Sequence, residues 1–310
     1  MAQPVFPKLA IIGAGLIGSS IALAAKAKGT ASEIALYDMS KDVRARARKA
    51  GLPGVKDSVE AAAQSADCTL LCVPVGALKA ASGAIAPHLK AGSILSDVGS
   101  VKGAAYSAMA EHCPQNVYLI PGHPIAGTEK SGPEAGFSSL FENRWHILTP
   151  QKDQSDDYRH ATDRLAEFWR KLGARIAIMG QERHDRVLAM TSHLPHLIAY
   201  NIVSTAYDME TVDEGEVVKY SAGGFRDFTR IAASDPTMWR DIFLTNKTAL
   251  LETLDRFSED LNALRAAICA DDGEELFKAF ERARGIRHAI LEAGEDADMV
   301  NFGRNPKEDI

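Results

Sequence analysis

The stretch KLAIIGAGLIGSS, residues 8–20, decides how this chain folds. A short apolar run leads into Gly13, Gly15 and Gly18, spaced G-x-G-x-x-G, and a helical pattern follows at once. A strand that passes through such glycines into a helix is typical of a dinucleotide-binding βαβ unit. Gly13 permits the tight turn, Gly15 lets the backbone approach a pyrophosphate, and Gly18 lets the helix and the strand pack closely.

An acidic residue favours NAD as the cofactor. Asp38 ends the next predicted strand, EIALYD, where it can accept hydrogen bonds from the adenosine ribose and repel a 2′-phosphate. Arg44 keeps NADP open, because a nearby arginine could hold that phosphate. Two alternatives stay open: a glycine turn without a ligand, and Asp38 as a helix N-cap, a role that Ser40 could also fill. The predicted cofactor contacts here are Gly13, Gly15, Leu16, Ile17, Gly18 and Asp38.

Strands and helices alternate over the first 180 residues, as in βαβ units around a parallel sheet. After Gly180 the apolar residues recur at helical spacings of three and four. The sequence therefore predicts an α/β protein, with a Rossmann-type doubly wound, mostly parallel sheet in a dinucleotide-binding domain (1–180). An all-helical substrate and dimerisation domain (181–310) follows. Because its helices have broadly apolar faces, we expect a homodimer.

Composition excludes several classes of partner. The 310 residues carry a net charge of −6, which argues against nucleic acid and acidic membranes. The spacing of the four cysteines suits neither a zinc site nor a disulfide framework. No secretion signal or transmembrane span is recognisable, so we expect a cytoplasmic protein.

Two further predicted strands end in candidate ligand contacts, because ligands of open α/β sheets bind beyond the carboxyl ends of strands. Val73 and Pro74 end CTLLCVP and are predicted to border the nicotinamide half of the cofactor. In SDVGSVKG the candidates are Ser100 and Lys102. Their alternative roles are a helix N-cap for Ser100 and a solvated lysine at a helix start for Lys102.

Histidines stand out in the segments GHP and SHLPH. Gly122-His123-Pro124 follows a predicted strand, NVYLIPGHP, and is expected to form a stiff turn that points the imidazole into the cofactor crevice. A histidine suits proton transfer during hydride transfer, although a purely structural hydrogen bond is the alternative. His193 and His196 are separated by Pro195 and no H-E-x-x-H occurs, so no metal site is predicted.

Five segments, GAGLIGSS, SDVGSVK, GHPIAGTEKSG, SHLPH and GGFRDFTRIAASDPTMWRDI, occur in this order. With them the chain resembles the prephenate/arogenate (cyclohexadienyl) dehydrogenase family of tyrosine biosynthesis. The resemblance implies that His123 is the catalytic histidine and that Ser100 hydrogen-bonds both the substrate hydroxyl and that histidine. Arg230 matches the arginine that holds the ring carboxylate. Further implied substrate contacts are His196, Thr128, Glu129 and Asp227.

The resemblance also implies the chemistry. The substrate, prephenate or arogenate, is a cyclohexadienol with a hydroxyl on C4 and a carboxylate on C1. Hydride leaves C4 for NAD⁺, His123 accepts the hydroxyl proton, and carbon dioxide is lost as the ring becomes aromatic. The product is 4-hydroxyphenylpyruvate or tyrosine. The sequence leaves open whether the substrate side chain carries a keto group or an ammonium.

Two rival functions share the glycine loop. A β-hydroxyacid-type dehydrogenase would need a catalytic lysine in the first long helix of the second domain, and residues 181–208 contain no lysine. A non-catalytic NAD-binding regulator would explain the glycine loop, but not His123, Ser100 and Arg230 together. Trp239, in DPTMWRDI, is either a pocket wall or helix packing.

Overall fold

The structure is a computed structural model that describes residues 3–128, 130–152, 155–210 and 223–292. By its internal contacts the chain divides into two compact units, one ending at Leu251 and the other beginning at Glu252. This division differs from the domain boundary expected near residue 180, which stays a prediction. One physical reason for the difference is that the helix after Gly180 packs against a helix of the α/β part.

Five parallel strands form the first sheet. They are β1 (Phe6–Ile12), β2 (Ala31–Tyr37), β3 (Cys68–Leu71), β4 (Ile94–Asp97) and β5 (Tyr118–Leu119). Their order is β2-β1-β3-β4-β5, and β1 pairs in parallel with both β2 and β3. The direction of strand addition therefore reverses between β1 and β3. In open α/β sheets a ligand crevice forms at this switch point, beyond the carboxyl ends of the strands.

A second sheet has three strands, β6 (Gly122–Pro124), β7 (Trp145–Leu148) and β8 (Arg175–Ile178), in the order β6-β7-β8. β6 and β7 are antiparallel, while β7 and β8 are parallel. The single strand predicted for NVYLIPGHP is therefore wrong. The segment forms two strands, with a break at Pro121, because proline has no backbone N–H to donate to a ladder. The Pro121 carbonyl instead accepts a hydrogen bond from Thr149 N, and the chain passes into the second sheet.

Helices cover both faces of the parallel sheet, so the predicted doubly wound fold is confirmed. They are α1 (Leu16–Lys28), α2 (Lys41–Lys49), α3 (Val59–Ala63), α4 (Leu78–Ile85), α5 (Lys102–Ala110) and α6 (Asp156–Lys171). One core cluster joins β1 to α6 through Phe6, Leu9 and Phe168. A separate cluster packs α4 and α5 through Leu78 and Met109. Burial of such side chains is the main stabilising contribution to the fold.

The rest of the described chain is helical, as predicted. Its helices are α7 (Gln181–Leu188), α8 (Leu194–Glu210), α9 (Gly223–Thr229), α10 (Pro236–Thr245), α11 (Lys247–Cys269) and α12 (Gly273–Glu292). One π turn, Ala189–His193, separates α7 from α8. Pro195 at the second position of α8 explains this irregularity, since proline has no N–H and displaces the preceding turn. No helix among the described residues is both long and apolar enough to cross a membrane.

Candidate active site

The glycine loop lies at the switch point of the parallel sheet. Gly13 has φ +108°, and a Cβ there would lie 2.3 Å from the Cys72 carbonyl oxygen. A Cβ on Gly18 would lie 1.9 Å from the Gly13 carbonyl oxygen. A Cβ on Gly15 would meet no atom of the described residues within 4 Å, so that face of the loop is open among them. The three glycines therefore do what the motif predicts: two allow close packing, and the third leaves space for a ligand.

The start of α1 is suited to an anion. Gly15 is its N-cap, no side chain caps the helix, and its first turn contains no acidic residue. The free N–H groups and the positive end of the helix dipole favour phosphate binding. In this first turn Leu16 is buried and Ile17 is half-buried.

Asp38 connects the end of β2 to the glycine loop. Its Oδ2 accepts a hydrogen bond from Ala14 N, and its Oδ1 accepts one from Ser40 N, each at 2.9 Å. Ser40, rather than Asp38, caps α2, because its Oγ accepts from Val43 N. Arg44 is buried and donates from Nη1 to the carbonyl of Asp38 at 2.7 Å. Asp38 retains acceptor capacity, because each carboxylate oxygen has two lone pairs.

A buried ion pair lies where the parallel sheet meets the second sheet. Lys102 Nζ is 2.5 Å from Asp97 Oδ2, and both side chains are fully buried. The same Nζ donates to the Gly122 carbonyl at 2.6 Å, while Asp97 Oδ1 accepts from Gly122 N at 3.2 Å. The interpretation of Lys102 as a solvated lysine is therefore wrong. Its pKa is lowered by burial, an effect that the charge of Asp97 opposes.

His123 is the central residue of β6, directly after this anchored glycine. It pairs with Ile147 of β7, and only 9% of its surface is exposed. The predicted turn is therefore a short antiparallel strand, and the histidine is buried rather than held in a loop. Gly122 and the Lys102–Asp97 pair fix its backbone just beyond the carboxyl end of β4.

Two residues of α7 complete a chain of hydrogen bonds from His123. His123 Nδ1 lies 2.9 Å from His184 Nε2, and His184 Nδ1 lies 2.8 Å from Asp185 Oδ1. Asp185 also receives the backbone N–H groups of Lys102 and Gly103 at 2.7 and 2.9 Å, at the start of α5. Neither residue is among those predicted from the sequence. The sequence signal for His184 is its spacing of four from Leu188, which places both on one face of a helix. That face of α7 is buried.

The electrostatic surroundings keep His123 neutral. Burial lowers its pKa well below the usual value, and the neighbouring His184 and Lys102 lower it further. Burial also lowers the pKa of His184, although the hydrogen bond to Asp185 opposes this shift. A neutral imidazole can accept a proton at physiological pH, which a general base requires.

Three further residues that are predicted as ligand contacts follow strands of the parallel sheet. Ser100 is half-buried and follows β4 by three residues. It does not cap α5, since the N-cap is Val101 and no side chain caps that helix. Val73 is half-buried, and its Cγ1 would lie 3.1 Å from a Cβ on Gly13, so it borders the glycine loop. Pro74, the next residue, is exposed.

A second cluster of rings forms around Trp239. The His196 ring stacks on Trp239 with 3.6 Å between ring centroids, and His196 Nδ1 is 2.8 Å from the Ser192 carbonyl. Trp239 also packs with Val101, the residue after Ser100. The two interpretations of Trp239 are therefore compatible, because it is buried and also supports a predicted pocket histidine. Burial lowers the pKa of His196, and the charge of Arg230 adds to this effect.

The remaining predicted substrate contacts differ in how the structure places them. Arg230 begins the short 3₁₀ turn after α9, and this turn packs against α8, the helix that contains His196. Asp227 is exposed on α9. Thr128 is half-buried, and its Oγ1 accepts from Lys130 N at 3.1 Å. Glu129 lies outside the described residues. Within the described ranges, no group of three or more His, Cys, Asp or Glu side chains could hold a metal ion.

Two family models match consecutive parts of the chain. The model described as "Prephenate dehydrogenase, nucleotide-binding domain" matches residues 21–178. The model described as "Prephenate dehydrogenase, dimerization domain" matches residues 180–282.

Individual relatives match over nearly the whole chain. The cyclohexadienyl dehydrogenase of Zymomonas mobilis is 44% identical over 92% of this chain and 97% of its own length. The prephenate dehydrogenase of Bacillus subtilis is 33% identical over 90% of this chain and 75% of its own length. Among solved structures, the prephenate dehydrogenase of A. aeolicus, in complex with hydroxyphenyl propionate and NAD⁺, is 32% identical. It aligns with a TM-score of 0.82 over 94% of this chain and 99% of that chain.

Proposed function

The chain belongs to the prephenate dehydrogenase family, as its motifs predict, and from this premise we propose a function. It catalyses the NAD-dependent oxidative decarboxylation of prephenate, arogenate or both, in tyrosine biosynthesis. The observation that carries the proposal is the 44% identity to a cyclohexadienyl dehydrogenase over 92% of this chain. The buried histidine at the carboxyl end of the sheet is the group that such a reaction needs.

NAD is the proposed cofactor. Its pyrophosphate would be held by the open face of the loop at Gly15 and by the N–H groups at the start of α1. Asp38 would receive the ribose hydroxyls with its remaining lone pairs. Arg44 donates to carbonyls at the end of β2, which supports NAD over NADP because that part of its guanidinium is already engaged. When bound, NAD⁺ accepts the hydride.

The protein's own residues supply orientation and a proton acceptor. Ser100 is proposed to hydrogen-bond the C4 hydroxyl, and His123 to take its proton as the C4–H bond breaks. Because burial lowers its pKa, His123 is neutral at physiological pH and has a ring nitrogen with a free lone pair for that proton. Loss of carbon dioxide from C1 then makes the ring aromatic, which supplies the driving force. The residues need to position the substrate and polarise one hydroxyl.

Arg230 is proposed to bind the ring carboxylate, with His196, Thr128, Glu129 and Asp227 as further substrate contacts. A guanidinium can bind a carboxylate through two parallel hydrogen bonds. The packing of the turn that contains Arg230 against the helix that contains His196 supports placing the carboxylate near this pair.

Replacing Arg230 by alanine should raise KM for prephenate or arogenate by about 10- to 100-fold and change kcat much less. The reason is the loss of charge-assisted hydrogen bonds to the substrate, each worth about 1.5–3 kcal/mol. Steady-state kinetics at saturating NAD⁺ measures the effect. Arg170→Ala, at an exposed position of α6, is the matched control and should leave KM nearly unchanged. An unaltered KM for Arg230→Ala would remove Arg230 from the pocket.

A four-way comparison of initial rates tests the proposed function. NADH and NADPH formation is measured with prephenate and with arogenate on the purified protein. Turnover with NAD⁺ would support the reaction and the role of Asp38, and the ratio of the two substrates would identify the preferred side chain. If folded protein that binds NAD⁺ shows no turnover in all four assays, the enzyme assignment is wrong and the regulator alternative gains support.

A homodimer is proposed for the helical part. Large apolar side chains are exposed along its helices, including Ile202, Val203, Tyr207, Leu261 and Phe277. We expect a second copy of the chain to bury these side chains, because the family model for residues 180–282 describes a dimerization domain. Light scattering at micromolar concentration should give twice the 33.4 kDa mass of one chain, and a monomer mass would contradict the proposal.

A further inference from the structure

The proposed function assigns no role to His184 and Asp185. His184 is nevertheless within hydrogen-bonding distance of the proposed proton acceptor, His123, and Asp185 is within hydrogen-bonding distance of His184. His184 is fully buried, and its two ring nitrogens lie between His123 Nδ1 and Asp185 Oδ1. Asp185 is held in turn by the two backbone N–H groups at the start of α5. The donor and the acceptor of each hydrogen bond in the series from Asp185 to His123 therefore follow from the charge of Asp185.

Asp185 is an ionised carboxylate in this environment. Burial raises its pKa, but hydrogen bonds from His184, Lys102 N and Gly103 N outweigh this effect, so the pKa is lowered overall and the carboxylate is ionised. An ionised carboxylate only accepts hydrogen bonds. His184 Nδ1 must therefore carry the hydrogen and donate it to Asp185.

The second step follows from the neutral state of His184. With its hydrogen on Nδ1, His184 Nε2 has only a lone pair, so it accepts from His123 Nδ1. Neutral His123 then has its hydrogen on Nδ1 and a lone pair on Nε2. The hydrogen bond made by one ring nitrogen of a histidine determines which function the other nitrogen can perform.

We propose that His184 and Asp185 are positioning residues that hold His123 in the tautomer whose Nε2 is the proton acceptor of the reaction. The inference rests on the proposed function for the source of the proton, whereas the tautomer can be measured without turnover. In the reaction the O–H bond of the C4 hydroxyl breaks and an N–H bond forms at His123 Nε2. The positive charge of the imidazolium is stabilised through His184 by the Asp185 carboxylate, and no other proton has to move.

Burial and the cationic or ionisable groups around His123 lower its pKa, and so oppose the formation of the imidazolium. Burial is the largest cause of its lowered pKa, followed by His184 on α7 and Lys102 on α5, then His146 on β7 and His193 in the π turn. These effects keep the ring neutral before the reaction. Asp97 on β4 and Asp185 on α7 raise the pKa of His184. Asp185 is the one of these two carboxylates that is hydrogen-bonded to the histidine pair.

Asp185 also links the two parts of the proposed catalytic centre. The backbone groups that it binds, Lys102 N and Gly103 N, follow Ser100 by two and three residues. One carboxylate therefore fixes the Ser100 segment and, through His184, the ring of His123. For the same reason, variants of Asp185 would disturb the start of α5, and His184 is the better residue to change.

His184→Leu and His184→Gln form the test pair. Leucine removes the acceptor for His123 Nδ1–H, whereas the glutamine Oε1 can replace it; both leave Asp185 bound to α5. His184→Leu should lower kcat by about 10- to 100-fold with little change in KM, and His184→Gln should recover most of that loss. Thermal unfolding of each variant checks that it is folded.

The decisive readout is the ¹⁵N NMR spectrum of histidine-labelled protein, with His123 assigned from a His123→Asn variant. The native protein and His184→Gln should show a hydrogen on Nδ1 of His123, and His184→Leu should show a mixture of tautomers. A native His123 protonated on Nε2, or a folded His184→Leu protein with native kcat and tautomer, would overturn the proposal. If the tautomers are as expected but no substrate is turned over, the proposed function fails and the positioning role stands.

Discussion

Replacing His123 by asparagine should lower kcat by about 10²–10⁴-fold, whereas the dissociation constant for NAD⁺ should hardly change. The asparagine amide nitrogen can take the place of Nδ1 and donate to His184 Nε2. The variant therefore keeps the buried contact but has no proton acceptor at the position of Nε2. Steady-state kinetics and fluorescence titration with the cofactor measure the two quantities separately.

A second histidine provides the control for this result. His160→Asn makes the same chemical change on an exposed position of α6 and should leave kcat within about threefold of the native value. A loss below threefold for His123→Asn would exclude His123 as the proton acceptor. A parallel loss of NAD⁺ affinity would instead indicate that the substitution disturbs the end of β4 rather than the chemistry.

Local patterns in the sequence were sufficient for the nucleotide-binding half. The requirement for three glycines, the alternation of strands with helices and the acid at the end of β2 are all short-range features, and the fold follows them closely. The break at Pro121 was also encoded locally, since a proline cannot donate to a ladder. The apolar run VYLI stops at Pro121, and the predicted strand extends through that proline into Gly122-His123-Pro124.

The proposed catalytic centre was only partly predictable, because its contacts are distant in sequence. His123 and His184 are 61 positions apart, and Lys102 N and Asp185 are 83 apart. A histidine followed by an aspartate at the start of a polar helix has no periodicity that indicates its partner. The role of Lys102 stays open in the sequence for a similar reason, because its burial depends on Asp97 and on the Gly122 carbonyl of a different sheet.

The buried ion pair between Lys102 and Asp97 is expected to stabilise the fold. Lys102→Met should lower the free energy of unfolding by about 3–5 kcal/mol, measured by urea denaturation. Methionine fills most of the lysine volume, so the loss comes mainly from leaving the Asp97 carboxylate fully buried without its cation. Asp97 would retain only the backbone N–H groups of Gly99 and Gly122, at 2.8 and 3.2 Å. Removing one partner of a buried ion pair lowers the free energy of unfolding far more than replacing both partners by apolar residues.

Two further variants separate charge from packing. Lys79→Met removes the same side chain from an exposed ion pair with Glu111 at 2.8 Å and should cost only about 0–1 kcal/mol. The double variant Lys102→Met with Asp97→Asn should be more stable than Lys102→Met alone, because the neutral amide needs no counter-charge. If Lys102→Met and Lys79→Met unfolded at the same urea concentration, the Lys102 cation would contribute no more than a surface lysine. The anchoring of Gly122, and with it the fixed position of His123, would then need another cause.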